Sequence, residues 1–333
     1  MRNLETQNSK LDLNALFIQP TRWCASPSRV CKGCYVRAHK ATSQASLEEH
    51  VELFRRFYEG DGVSTKQITI SLDVLPLSEG WEEQYYAWMV SYFKEIYSML
   101  KDTTWENLHK SYPQVHVTAR DIGIVHEYID ECDIEDGLRK LTVLSLSRID
   151  YPNDVRARMG ILHFNYNCMP PPNCSSSTID EEVEHLARIG RNVDSIYMIL
   201  HKSPVGGQRP DTVKWRDRTR WRSDIQYMKT MLTRLPHLRS KIQIDGCLKD
   251  VVKAKKTGYG CNCNVSRFQV WPDGSVSGCP YAISSNTGVG ATADKMIDNI
   301  RKAKEYYDFE QRCHLSEIHN SLLERPSDSR KRI

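Results

Sequence analysis

No stretch of this 333-residue chain approaches the roughly 18 consecutive apolar residues of a membrane-spanning helix. The opening residues, MRNLETQNSKLDLN, are polar and hold no apolar core of a secretion signal, so no membrane partner and a cytoplasmic location are expected. Internal repeats are lacking too. So is a strong charge imbalance: 46 Lys and Arg stand against 42 Asp and Glu, a balance of +4 with a pI near 8.4. That is too mild to demand a polyanionic partner, and only local clusters of charge can argue for one. Cysteine, by contrast, is plentiful. Eleven cysteines in a chain large enough to bury its own core and expected in a reducing compartment point to metal binding or catalysis rather than to a disulfide framework.

Eight of the eleven fall in two groups, Cys24, Cys31 and Cys34 near the start and Cys247, Cys261, Cys263, Cys279 and Cys313 near the end. Cys132 and Cys168 read as small buried hydrophobes. The first group, CASPSRVCKGC, has no fourth cysteine nearby, whereas a structural zinc site wants four closed ligands. Three thiolates on a cubane iron-sulfur cluster leave one iron open to a substrate or cofactor. The alternative is a zinc knot completed by a distant residue.

Short β-branched or aliphatic runs alternate with helical patterns from the start. ALFI at 15–18 is the first expected strand, and SLEEHVELFRRFYEG reads as a helix opened by a capping box of Ser46 and Glu49 and closed by Gly60. Further strands are expected at 68–76, 115–119, 141–147, 160–167 and 195–201, and helices at 81–100, 123–131, 178–190 and 219–234. Six strand-then-helix units imply a parallel sheet, either doubly wound or a partial barrel, with ligand chemistry at the C-terminal strand ends. The first cysteine group follows the first strand, on that edge.

After residue 240 the pattern changes to glycines, cysteines and a hairpin, RFQVWPDGSVSGC, turning around Pro272, Asp273 and Gly274. A large domain at 1–240, a small cysteine-rich α+β domain at 241–325 and a disordered tail at 326–333 are expected.

With these features together the chain resembles the radical S-adenosylmethionine (radical SAM) superfamily, in which a three-cysteine motif follows the first strand of a partial (β/α)6 barrel. The usual first spacing is C-x3-C, and this chain has C-x6-C-x2-C, with Ser26, Pro27 and Ser28 resembling an inserted turn. The resemblance implies a 4Fe-4S cluster on Cys24, Cys31 and Cys34 and S-adenosylmethionine on its open iron. It implies cofactor contacts from Asp73 at the end of the second strand, Ser145 and Ser147 at the fourth, and Asn165 and Asn167 at the fifth. The family's Gly-Gly-Glu motif is replaced by SLDVLP, which leaves Asp73 as the acidic candidate. Cys263, Gly274 and Cys279 fit the C-x(9 to 15)-G-x4-C signature of SPASM and Twitch domains, which implies an auxiliary 4Fe-4S cluster with further ligands among Cys247, Cys261 and Cys313. A zinc ribbon is the competing reading of this second group.

By the same resemblance, reductive cleavage of S-adenosylmethionine yields a 5′-deoxyadenosyl radical that abstracts hydrogen from the substrate, with electrons from a donor such as a flavodoxin or ferredoxin. SPASM and Twitch relatives point to a peptide, while the short segment before the first strand, with no leader-binding domain, keeps a small molecule close behind. A different reading comes from KWRDRTRWRS at 214–223. If extended, Lys214, Arg216, Arg218, Arg220 and Arg222 share one face beside stacking tryptophans, and a nucleotide or nucleic-acid base becomes the substrate; if helical, they scatter into solvent. A non-enzymatic zinc protein that binds nucleic acid is a third reading, separated from the other two by iron content. No catalytic acid or base stands out.

Overall fold

The computed structural model describes residues 11–20, 43, 45–73, 91, 94–96, 98, 112–119, 142–146, 163–168, 175–198, 215–244, 266–278 and 288–308. Its elements run β1 (Leu11–Leu13), β2 (Ala15–Ile18), α1 (Leu47–Glu59), β3 (Val63–Thr65), β4 (Gln67–Asp73), β5 (Tyr112–Ala119), β6 (Thr142–Leu146) and β7 (His163–Cys168). Then follow α2 (Ser176–Ile189), β8 (Ser195–Met198), α3 (Trp215–Arg234), β9 (Ile242–Ile244), β10 (Arg267–Val270), β11 (Val276–Ser277) and α4 (Ala293–Asp308).

The local reasons are legible. Ser46 caps α1 through Oγ, which accepts from the Glu49 N–H at 3.3 Å, and Gly60 ends the helix at φ 79°. His50, Val51, Leu53, Phe54 and Phe57 form its buried stripe. The Glu49 carboxylate, expected to serve the capping box of its own helix, accepts from the Ala293 N–H at 2.6 Å and so caps α4. Helix α3 begins at Trp215, earlier than the expected 219; its first turns are charged and carry no apolar periodicity by which to read them as helix. The helix expected at 123–131 lies outside the described residues, as does most of that at 81–100, of which positions 91, 94–96 and 98 are helical.

Nine strands form one sheet in the order β11-β10-β2-β4-β5-β6-β7-β8-β9, and a separate parallel pair joins β1 to β3. Every neighbour in the large sheet is parallel except the β10–β11 hairpin. From β4 to β9 spatial order follows chain order without reversal, so the switch point of a doubly wound sheet does not occur there. The chain is thus a mixed α/β protein. The described strands beyond residue 241 belong to the same sheet, β9 beside β8 and β10 beside β2.

The register sorts the strands into two unlike faces. One carries apolar rows, including Ile18, Ile70 and Val115, then Leu72, Val117, Leu144 and Phe164, then Ala119, Leu146, Tyr166, Ile196 and Ile242. This face meets the helices: Tyr166 Oη lies 2.9 Å from His185 Nε2 on α2, and Cys168 Sγ lies 3.3 Å from Tyr227 Oη on α3. The rows between are mostly polar, with Phe17, Val143 and Tyr197 among them. A parallel sheet covered on both sides usually has near-continuous apolar strands, so this alternation marks the second face as different.

Candidate functional site

The polar rows bring the expected cofactor residues together. Asp73, Thr118, Ser145, Asn165 and Ser195 are successive register partners across β4, β5, β6, β7 and β8. Neighbouring strands lie about 4.8 Å apart, so Asp73 to Ser145 spans about 10 Å and Ser145 to Asn165 one strand spacing. Asn167 falls in the next row, paired with Tyr197. A row nearer the N-terminal strand ends holds Ser71, His116, Val143 and His163. Three of the five expected residues therefore share one row and a fourth sits in the row beside it. Ser147 lies outside the described residues, one position past β6. Thr118 and Ser195 complete the row and were not singled out from the sequence. The alternation in VHVTA marks Thr118 as facing away from the valines, but only the register reveals its neighbours.

The row thus holds a carboxylate, three hydroxyls and an amide, residue types that hydrogen-bond polar ligands. On the helix side, Tyr227 donates to Glu182 Oε2 at 3.1 Å, and burial, then Cys168 and Glu182, push its phenol pKa upward, so it stays a neutral donor. Cys168 is buried against this helix layer, in keeping with its reading as a small hydrophobe and away from the polar rows.

The cysteines of both groups, Cys24, Cys31, Cys34, Cys247, Cys261, Cys263, Cys279 and Cys313, lie outside the described residues. Among the described residues no cluster of His, Cys, Asp or Glu is arranged to hold a metal ion. The hairpin turn forms as expected: Gly274 sits at φ 71°, its N–H donates to the Trp271 carbonyl at 2.8 Å, and Asp273 Oδ1 accepts from Ser275 N and Oγ at 3.0 and 2.6 Å. A side chain on Gly274 would be strained by that φ and would run into the Gly290 carbonyl, so glycine is required twice over. Cys279 follows the second hairpin strand by two positions.

His50, under this turn, has Nδ1 at 3.0 Å from the Ser46 carbonyl. Burial lowers its pKa; the Ser46 and Trp271 carbonyls, Asp273 and Glu49 favour the charged form but are outweighed. The basic segment is helical from Trp215 onward, so the extended arrangement with all cations on one face is not adopted. Alternate helical positions fall about 200° apart, which sends Arg216, Arg218, Arg220 and Arg222 to two sides of the cylinder. No helix among the described residues is long and apolar enough to cross a membrane.

Solved structures similar over most of the chain include a polyhistidine-tagged anSMEcpe with bound AdoMet, at TM-score 0.51 and 14% identity, covering 89% of this chain and 82% of that one. Native anSMEcpe with bound AdoMet matches at TM-score 0.50 and 13% identity, over 88% of this chain and 82% of that one. At such identities the likeness shows the fold, which this chain shares with both. No family model and no curated protein matches the chain.

Proposed function

We propose that the chain is a radical SAM enzyme acting on a peptide or small molecule, with the sheet forming a partial (β/α)6 barrel whose polar face receives S-adenosylmethionine. The observation that carries this is the single row joining Asp73, Thr118, Ser145 and Asn165 on the polar face of a sequentially ordered parallel sheet. The shared fold of the AdoMet-bound structures supports it. Cys24, Cys31 and Cys34 would hold a 4Fe-4S cluster, and Cys279 with three of Cys247, Cys261, Cys263 and Cys313 an auxiliary one, in the C-terminal module beginning near residue 241. When bound, the first cluster and S-adenosylmethionine together supply one-electron chemistry that activates an unreactive carbon–hydrogen bond.

The chain's own residues bind and orient. The Asp73 carboxylate pairs with the cofactor's ammonium, the Ser145 and Ser147 hydroxyls with the ribose, and the Asn165 and Asn167 amides with the adenine edge. The packed apolar face keeps the row rigid and shuts water out from the helix side. Thiolate-held, oxygen-sensitive clusters would suit a reducing cytoplasm with a flavodoxin or ferredoxin as electron donor. The test is electron paramagnetic resonance of the anaerobically reconstituted, dithionite-reduced protein. A 4Fe-4S signal that shifts when S-adenosylmethionine is added is expected, and a signal indifferent to it overturns the proposal.

A further inference from the structure

We infer that Tyr227, hydrogen-bonded between Cys168 and Glu182, is a redox-active phenol: it yields an electron to a one-electron oxidant while its proton passes to Glu182, and the Cys168 thiol then refills it. The redox chemistry of the trio stands on its own geometry. The oxidant assigned to it, a carbon-centred radical on a ligand of the polar face, rests on the function proposed above.

Strand β7 divides its residues between the two faces of the sheet. Asn165 and Asn167 fall in polar rows, whereas Tyr166 and Cys168 meet the helix layer. Cys168 Sγ lies 3.3 Å from Tyr227 Oη on α3, and Tyr227 Oη lies 3.1 Å from Glu182 Oε2 on α2. A carboxylate only accepts, so the phenol spends its single hydrogen on Glu182 and its oxygen is left to accept from the thiol. The order is therefore thiol to phenol to carboxylate. Tyr227 and Cys168 are buried, at 1% and 3% exposure, while Glu182 is half-buried, so the chain of hydrogens runs from the interior toward solvent.

A buried phenol needs this arrangement in order to be oxidised. Removing its electron alone leaves a buried cation, and ionising it first is opposed by burial and then by Cys168 and Glu182. A proton acceptor already in hydrogen-bond contact avoids both costs. In the step, the Tyr227 O–H bond breaks, its electron reduces the oxidant, and its proton forms an O–H bond on Glu182. Where the oxidant is a carbon-centred radical, the reduced carbon takes a proton from water to form a C–H bond, and Glu182 neutralises the hydroxide left behind. The sum is one hydrogen atom moved from the phenol to the carbon. The phenoxyl then takes the hydrogen of Cys168 and leaves a thiyl in the helix layer, on the side of the sheet away from the polar rows. The other phenol of β7 is held differently. Arg188 Nη2 lies 3.3 Å from His185 Nδ1 and can only donate, so His185 carries its hydrogen on Nε2 and donates to Tyr166 Oη at 2.9 Å. His185 is thus no base for Tyr166, which serves as the control.

The test uses the full-length, reduced, metal-free chain, photo-oxidised by a flash on tris(bipyridine)ruthenium with a cobalt(III) quencher and freeze-quenched for electron paramagnetic resonance. The wild type should show a phenoxyl component that outlives those of exposed tyrosines, that Tyr227→Phe lacks and that Tyr166→Phe keeps. In Glu182→Gln, a change of similar shape at a half-exposed position, the component should form about 100-fold more slowly, the lower range for a positioned proton acceptor. In Cys168→Ala it should persist longer, because no thiol refills the phenoxyl. An equal component in wild type and Tyr227→Phe, or formation as fast in Glu182→Gln as in the wild type, overturns the inference. The reconstituted chain, given S-adenosylmethionine and one reducing equivalent without substrate, should show the same component; its absence from a chain that cleaves S-adenosylmethionine overturns the assignment of the oxidant. The flash measurement needs no metal, so a chain that holds no iron yet shows the Tyr227 component contradicts the proposed function and leaves the redox-active phenol standing.

Discussion

The two faces of the large sheet are made from alternate residues of the same strands, yet one is a row of Ile, Val, Leu and Phe and the other a row of Asp, Thr, Ser, Asn and His. The apolar side takes up α2 and α3, through Tyr166 and Cys168, and supplies burial that holds the strands in register. The polar side is costly to cover with protein, since each buried hydroxyl or amide needs a partner. On the function proposed above that face receives a polar ligand, and the difference would then separate residues of stability from residues of binding within single strands.

That separation can be broken most directly at its extremes. Phe54→Ala, which empties a fully buried position on the stripe of α1, should cost about 3–5 kcal/mol in denaturant unfolding. Asp73→Asn should stay within about 0.5 kcal/mol of the wild type. Equal losses for the two would erase the distinction between the faces.

In binding, the order should invert. Asp73→Asn should weaken S-adenosylmethionine by about 10- to 100-fold in anaerobic equilibrium dialysis, the range for a hydrogen bond to a charged group, and Ser145→Ala or Asn165→Ala by about 3- to 10-fold. Phe54→Ala measured below its melting range should bind as the wild type does.

A smaller effect is expected in the pH dependence of stability. The pKa of His50 is depressed by burial in the folded chain and returns to about 6.5 on unfolding, so below that value the unfolded chain takes up the proton more readily. Its contribution is full above about pH 6.5 and is lost as pH falls through it, by at most about 1.4 kcal/mol per unit. Glu49 and Asp273 face the ring and temper the loss. His50→Gln should flatten the unfolding free energy between pH 7 and pH 5.5, and an unchanged slope would contradict the assignment.

The smallest effect belongs to the basic segment. Because Arg218, Arg220 and Arg222 stand on a helix and not on an extended strand, changing all three to Gln should leave nucleic-acid affinity and its salt slope unaltered, whereas a slope flattened by roughly 0.7–0.9 per lost phosphate contact would revive that reading.

Much of this fold was legible in the sequence. ALFI, ITISLD, VHVTA, LTVLSLS and HFNYN were legible as strands because short runs of β-branched, aliphatic or aromatic residues alternate there with helical patterns, and Ser46 and Gly60 framed α1 by elementary capping. The hairpin at Pro272, Asp273 and Gly274 was legible because the turn demands a positive φ. The rest depended on pairing between distant segments. That β10 lies beside β2 and that Glu49 caps α4 are facts of tertiary register, with no local signal. The same holds for the site: Asp73, Ser145 and Asn165 were visible as polar strand positions, but their common row, with Thr118 among them, exists only once the strands are aligned.

The central claim, that the chain's cysteines hold iron-sulfur clusters beside this polar face, is tested most directly by metal analysis of the anaerobically reconstituted protein and of its Cys24→Ala/Cys31→Ala/Cys34→Ala variant. About eight irons per chain in the first and about four in the second are predicted, one 4Fe-4S cluster being lost with the three thiolates. One or two zinc ions per chain without charge-transfer absorption would contradict the account.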